Sequence, residues 1–265
     1  MSPAVDARKP SPLIFTPLID LPLVQNGDDL SMLVFAGLER AGIALQNGDI
    51  LVLAQKVISK AEGRKVALQD VKASAQALDL AEKTGKDPRV VELILRESRS
   101  VVRTRPGLII AEHRRGFICA NAGIDHSNLD REGADREDWV LLLPEDPDRS
   151  ADRLRAALEK RTGTRLGVMI IDSHGRPWRL GTVGISIGFS GLPGLIDLRG
   201  KPDLYREKLQ ITLVGAADEL AAGASLIMGQ AAEGIPAVHV RGFPYPLREG
   251  GLDELLRPEE EDLFR

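Results

Sequence analysis

Apolar positions along the chain follow two periods. Leu30, Leu33, Val34 and Leu38 recur at helical spacing, and Asp28 or Asp29 stands where an N-cap belongs, which predicts a helix. After the turn Asn47-Gly48-Asp49, the unbroken run Leu51-Val52-Leu53 reads as a buried strand. Residues 66–83, rich in Ala, Leu, Glu and Lys, read as helical. Another helix is predicted after Asp87-Pro88, with Val91, Leu93, Ile94 and Leu95 as its apolar content. Segments 107–112 and 139–143 read as strands, and Ser150 stands where it would cap a helix running to Lys160. Residues 168–171 form a strongly apolar strand that ends at Asp172. Beyond it Gly181, Gly184, Gly188, Gly191 and Gly194 punctuate a β-like stretch. Residues 210–214 and 237–240 then read as strands. Between them, 218–228 reads as a helix of small residues that invites close packing. The charged stretch 130–138 and the acidic tail from Pro258 read as solvated surface. These elements, with no solenoid repeat and no linker-like boundary, point to an α+β (mixed α/β) fold in one unit over 1–265, with room for two lobes.

Composition narrows the class. A chain of 265 residues with 43% hydrophobic content can bury a sizeable core without cross-links. One Cys excludes a disulfide framework and a Cys-based zinc cluster, and the four His form no metal-binding doublet. A formal charge of −4 speaks against a nucleic-acid partner. The N-terminal stretch lacks the apolar core of a secretory signal, and the apolar runs are far shorter than a membrane span. The expectation is a cytoplasmic protein with neither membrane nor nucleic acid as a partner.

Neither the phosphate-loop pattern nor the Rossmann glycine pattern occurs, so a nucleotide site here must be built another way. Gly184-Ile185-Ser186-Ile187-Gly188 spells a nucleophile elbow, but Ile185 and Ile187 flank Ser186 at strand period and no helix follows; it reads as a chance match.

Five segments carry chemistry. Residues 55–64 place Lys56, Lys60 and Arg64 directly after a buried strand, where α/β sites gather ligands and lysines neutralise phosphate; a solvated charged loop is the commoner meaning of such a run. Residues 121–128 surround Asp125 with small residues and amides, which serves either a hard-cation site or an Asx turn. At 170–179, Asp172 ends an apolar strand and Ser173 adds a hydroxyl, as a metal ligand or a turn cap. Arg176 and Arg179 follow, suited to grip a phosphate or carboxylate; His174 reads as an exposed turn residue and Trp178 as packing. Glycines at 188–194 open a groove or punctuate a turn, the latter being commoner. Residues 228–236 can wrap a base or sugar, with Gln230 or Glu233 in reach of a metal, although a helix cap accounts for Gly229. Together, two Asp point to a divalent metal, and Lys60, Arg176 and Arg179 to anionic groups. That combination implies phosphoryl transfer or nucleotide-driven ligation.

Four stretches, in order, resemble the coenzyme F420:L-glutamate ligase family: 58–64 (Ile-Ser-Lys-Ala-Glu-Gly-Arg); 121–125 (Asn-Ala-Gly-Ile-Asp) with Ser127-Asn128; Asp172-Ser173 with Gly175-Arg176; and Ala217-Asp218-Glu219 through Met228-Gly229 to Gly234-Ile235-Pro236. The resemblance runs from about Leu21 to Glu261. It implies joining of L-glutamate to F420-0, with GTP turned over to GDP and further γ-linked glutamates able to follow. The implied route is an acyl phosphate attacked by the glutamate amine. It further implies Mg²⁺ or Mn²⁺ at one or two sites, an assisting K⁺, a mixed α/β fold that is neither P-loop nor Rossmann, and an intertwined homodimer. A C-terminal flavin-binding domain found in some relatives is not expected here.

By position, the resemblance assigns GTP contacts to Leu21, Pro22, Leu23, Val24, Gln55, Lys56, Lys60 and Asn128, and to the loop Met228, Gly229, Gln230, Ala231, Ala232, Glu233, Gly234 and Ile235. It assigns metal ligands to Asp125 and Asp172, with Ser173 and Gln230 at a second metal, and makes Lys60, Asp125 and Asp172 the catalytic set. Two residues depart from a relative: Gln230 replaces a Glu, and Gln55-Lys56 replaces small hydroxyl residues. The alternative readings are the same ligase chemistry on a different acid, or a nucleotide-binding module without turnover.

Overall fold

The computed structural model describes residues 11–126 and 139–264. The chain opens with β1 (Ile14–Pro17) and α1 (Leu30–Arg40). Asp29 is the N-cap, accepting from the Ser31 and Met32 amides, while Asp28 accepts from the Gln25 amide in the preceding turn. β2 (Ile50–Ala54) runs into α2 (Gln55–Ala61) without a loop. Next come β3 (Lys65–Ala67), α3 (Ala75–Thr84) and α4 (Pro88–Glu97), the last with Asp87 as its cap and proline in its first turn. A hairpin of β4 (Ser98–Arg105) and β5 (Leu108–His113) leads to β6 (Ile118–Ala120), and β7 (Trp139–Leu141) precedes α5 (Pro147–Thr162). The long hairpin of β8 (Gly167–Arg176) and β9 (Arg179–Ser190) follows. The short pair β10 (Ile196–Asp197) and β11 (Leu213–Val214), α6 (Ala216–Met228) and β12 (Ala237–Arg241) complete the set.

Several of these bounds correct the expectations. Segment 66–83 is not one helix: Val66 pairs with Val140 across β3 and β7, and the helix starts only at Ala75, where the Ser74 hydroxyl accepts from the Ala77 amide. Cross-strand pairing outweighs the helix-friendly composition there. Asp146, not Ser150, caps α5, with Pro147 at the first helical position. The strand bearing Asp172 does not end there, because β9 keeps pairing it as far as Arg176. Of 210–214 only Leu213 and Val214 are strand, and β4 was not foreseen. The 130–138 stretch lies outside the described residues.

The main sheet has five strands in the order β1-β12-β2-β8-β9, with β2 and β8 parallel and the other pairs antiparallel. Strand alternation divides its side chains. Leu51, Leu53, Val168 and Ile170 pack with Val34 and Leu38 of α1 and Leu154 and Leu158 of α5. Ile50, Val52, Met169 and Ile171 pack with Leu220, Ala221 and Ala224 of α6. The small residues of α6 have a reason: a Cβ at Gly184 of β9 would lie 2.5 Å from the Ser225 Cβ and 2.7 Å from the Ala221 carbonyl oxygen. A third core joins α3, α4, β5 and β7 through Ala77, Val91, Ile94, Ile109 and Val140. No helix among the described residues is long and apolar enough to cross a membrane.

Registry places the site. β2 stops at Ala54, whose partner is Ile171, while β8 continues. Asp172 and Ser173 therefore flank the point where β2 turns into α2, at the C-terminal end of a parallel strand pair, where open α/β sheets collect ligands.

Candidate active site

A cavity of about 1100 Å³ opens at this point. Its walls contain Leu21, Pro22, Leu23 and Val24 before α1; Gln55, Lys56 and Lys60 of α2; Asp172 and Ser173 of β8; and residues 228–236 between α6 and β12. Four separate stretches singled out in the sequence thus meet around one space.

α2 supplies its lysines because the strand-to-helix junction is rigid. Gln55 is buried, and its carbonyl Oε1 accepts from the Ser59 hydroxyl one turn on, at 2.9 Å. Lys56 and Lys60, four residues apart, share a helix face on the cavity. The Lys56 ammonium also lies 2.7 Å from Asp125 Oδ2.

Asp125 arrives from the third core. Asn121 and Ala122 both hold φ +51°, and Gly123 follows at +71°. A run of left-handed residues containing non-glycines is costly and clusters at functional turns. Asn121 Oδ1 secures the turn by accepting from the Ile109 amide at 3.2 Å. Backbone bonds in both directions between Asp125 and Leu141 (3.0 and 2.9 Å) then fix Asp125 to β7. Asp125 itself stands beside the cavity wall, held to it through Lys56.

Asp172 and Ser173, as successive strand residues, serve opposite faces. Asp172 Oδ2 lies 3.0 Å from His174 Nε2. Ser173 Oγ donates to Gln230 Oε1 at 2.7 Å, and Gln230 Nε2 donates to Ser225 Oγ at 3.0 Å. Behind Asp172, the Cys119 thiol is pushed up by burial and by the Asp172 charge. Asp218 is half-buried in the first turn of α6, accepts from the Ser186 amide at 2.9 Å and is raised by desolvation. Gly229 closes α6 at φ +72°, ψ −176°, a conformation open essentially to glycine. A Cβ there would collide with the Glu233 carboxyl group. The Glu233 carboxyl accepts from the Ala231 amide, which holds it below the usual carboxylate range.

The other residues singled out in the sequence lie elsewhere in the fold. Arg176 and Arg179 are absent from the cavity walls, because the hairpin carries them beyond Asp172. His174 is 6% exposed and not a surface turn residue. Trp178 is 88% exposed at the hairpin tip and does not fill a core. Gly188 and Gly194 make room for Pro147 and the Phe189 ring, and neither lines the cavity. Asn128 lies outside the described residues. The sequence reading also missed wall residues: Gln25, Asn26, Ser225, and Lys65 with its ammonium 4.5 Å from the Trp139 ring centroid. The alternation Lys65-Val66-Ala67 against Trp139-Val140-Leu141 was the available signal for the last pair.

Comparison with known proteins decides the family. The sequence profile described as F420-0:Gamma-glutamyl ligase matches residues 18–242. The chain belongs to the F420-0:γ-glutamyl ligase family. It is 49% identical over 247 residues to the coenzyme F420:L-glutamate ligase of Methanothermobacter thermautotrophicus, covering 92% of this chain and 96% of that one. The enzyme of the same name from Methanopyrus kandleri is 48% identical (91% and 93% covered), and that of Methanocaldococcus jannaschii 42% (93% and 95%). Relatives this similar over nearly the whole length make the chain a ligase. All four cavity-forming stretches fall inside the span matched to the F420-0:γ-glutamyl ligase family.

The donor chemistry of this family member fits a hard divalent cation. Asp125 and Asp172 offer carboxylates, and Ser173 and Gln230 neutral oxygens. Among the described residues, no group of three or more His, Cys, Asp and Glu gathers into a complete cage. Mg²⁺ characteristically takes one or two carboxylates and completes its shell with water and substrate phosphates, which suits a two-carboxylate set. The Lys56 ammonium already shows that a cation is welcome at Asp125.

Proposed function

We propose that this protein is a coenzyme F420-0:L-glutamate ligase, acting in coenzyme F420 biosynthesis in the cytoplasm. It would couple GTP turnover to amide formation and use Mg²⁺ or Mn²⁺, with K⁺ assisting. The observation that carries the reading is the convergence of Lys56 and Lys60, Asp172 and Ser173, and the 228–236 loop on one cavity in a member of this family.

Residues 21–24 and 228–235 enclose the nucleotide, the loop offering backbone groups at close range because small residues line it. Lys56 and Lys60 face the phosphates and draw off the charge that grows on the leaving group. A metal held by Asp125 and Asp172 supplies charge neutralisation for the phosphates when bound. Phosphorylation of the F420-0 carboxylate gives an acyl phosphate and GDP; attack by the glutamate amine forms the amide, releases phosphate and leaves a proton for solvent. Gln230 carries no charge and is already bonded to Ser173 and Ser225, so a second cation site there is weaker than the first. The reading includes a homodimer, for which the exposed apolar side chains Leu180, Leu204 and Tyr205, each more than 85% exposed, are available contacts.

The test is mass spectrometry of the purified chain incubated with F420-0, L-glutamate, GTP and Mg²⁺, with each component omitted in turn. Products heavier by glutamyl units, absent without GTP or metal, are the expected result. Intact F420-0 in the complete mixture, with folded protein, overturns the reading. Replacing F420-0 by other acids then checks acceptor choice.

A further inference from the structure

We propose that His174 is a positioning residue for the metal-binding carboxylate of Asp172. The role requires the metal reading of Asp172 given above. Asp172 and His174 are two apart on β8 and so share one face of the strand. The imidazole is 6% exposed, and its Nε2 lies 3.0 Å from Asp172 Oδ2. It is boxed in by Phe117, whose ring centroid is 5.6 Å away, and Phe117 is stacked in turn on His113 at 4.8 Å. Burial and the Phe117 ring restrict the imidazole, and an Nε2–H in that position orients the carboxylate. One Oδ2 lone pair is committed to His174, which leaves Oδ1 and the other Oδ2 lone pair for a ligand in the cavity that Asp172 lines.

A packing role alone does not account for this residue. His174 Nδ1 is buried with no hydrogen-bond partner among the described residues. An unsatisfied buried nitrogen is destabilising, and beside Phe117 an apolar side chain would avoid that cost. What the imidazole adds over an apolar residue is the donor aimed at Asp172. Ligating carboxylates are themselves held by hydrogen bonds, and loss of such a partner typically weakens metal binding about 10–100-fold.

The experiment counts Mn²⁺ bound to the full-length chain by electron paramagnetic resonance, with and without GDP, alongside circular-dichroism melting. His174→Leu and His174→Asn, whose amide is too short to reach Asp172, are expected to weaken Mn²⁺ binding about 10–100-fold. His174→Gln, which places a donor near the original Nε2, is expected to retain affinity within about threefold of wild type, a small loss beside that range. In an Asp172→Asn background, His174→Leu should add no further loss. If the Leu variant does not fold, the Asn–Gln comparison decides alone. Wild-type affinity in the Leu or Asn variant overturns the proposal, as does equal weakening by Gln and Leu. A wild-type chain that takes up no Mn²⁺ in either condition overturns the metal reading itself.

Discussion

Lys56 answers to two demands at once, pairing with Asp125 and facing the cavity meant for phosphates. A part-exposed pair of this kind is worth about 1 kcal/mol, or roughly fivefold in an equilibrium. Lys56→Met is therefore expected to lower the Mn²⁺ concentration for half-maximal activity about fivefold while raising the KM for GTP. A steady-state titration of each checks both directions, and an unchanged metal requirement would show that the ammonium does not compete at Asp125. Asp172→Asn removes a charge that no neighbour replaces. Turnover should fall at least about 10²-fold with little change in melting temperature, and normal activity at low Mg²⁺ would sink the assignment. At this scale the sequence was legible where chemistry is carried by a residue type in a distinctive stretch, as with Lys60, Asp125 and Asp172. It was opaque for His174, because its partner is visible only once β8 is known to run past Asp172 and to put both on one face.

Among the elements, β2 and the strands beside it are held by charge as well as by apolar packing. Asp49, just before β2, is buried and takes Arg241 Nε and Nη2 of β12 at 2.8 and 2.7 Å, with His239 Nε2 at 2.9 Å. Burial pushes its carboxyl up, but the Arg241 hydrogen bonds and the adjacent His239 imidazole outweigh that and leave it well below the usual range. A depressed folded-state pKa contributes stability that is complete above the unfolded value, about 3.9, and is lost as pH falls through the folded one. Urea unfolding at a series of pH values should show wild-type stability declining below about pH 4. Asp49→Asn should lose about 3–5 kcal/mol at neutral pH and flatten that decline. On β9, a Cβ at Gly188 would meet the Pro147 side chain and come within 2.6 Å of the Asp148 amide nitrogen, which backbone cannot yield. Gly188→Ala is expected to cost about 1–3 kcal/mol, whereas Gly175→Ala, with nothing within 4 Å, should melt like wild type. Elements with a clear cap or an apolar run were readable, including α1, α4 and β2. β4 was not, since Arg and Ser alternate with little apolar signal, and the strand exists by pairing with β5. β3 was lost inside a helix-like composition for the same reason.

At the scale of the whole molecule, the mixed α/β class followed from the alternation of element types, but the division into three cores did not. It depends on contacts between residues distant in sequence. Homodimerisation is expected to use the apolar protrusions: Leu204→Asp with Leu180→Asp should shift the chain toward monomer in sedimentation equilibrium, and wild type sedimenting as a monomer would remove that role. Asp125 hangs from the core of α3, α4 and β7, whereas Lys56 and Asp172 belong to the main sheet and the helix leaving it. Their spacing behaves as the gap of a calliper whose two jaws are anchored in separate bodies of packed side chains. Heating that loosens the smaller body first would open the gap while the five-stranded sheet still stands, so inactivation should set in at a lower temperature than the loss of far-ultraviolet ellipticity.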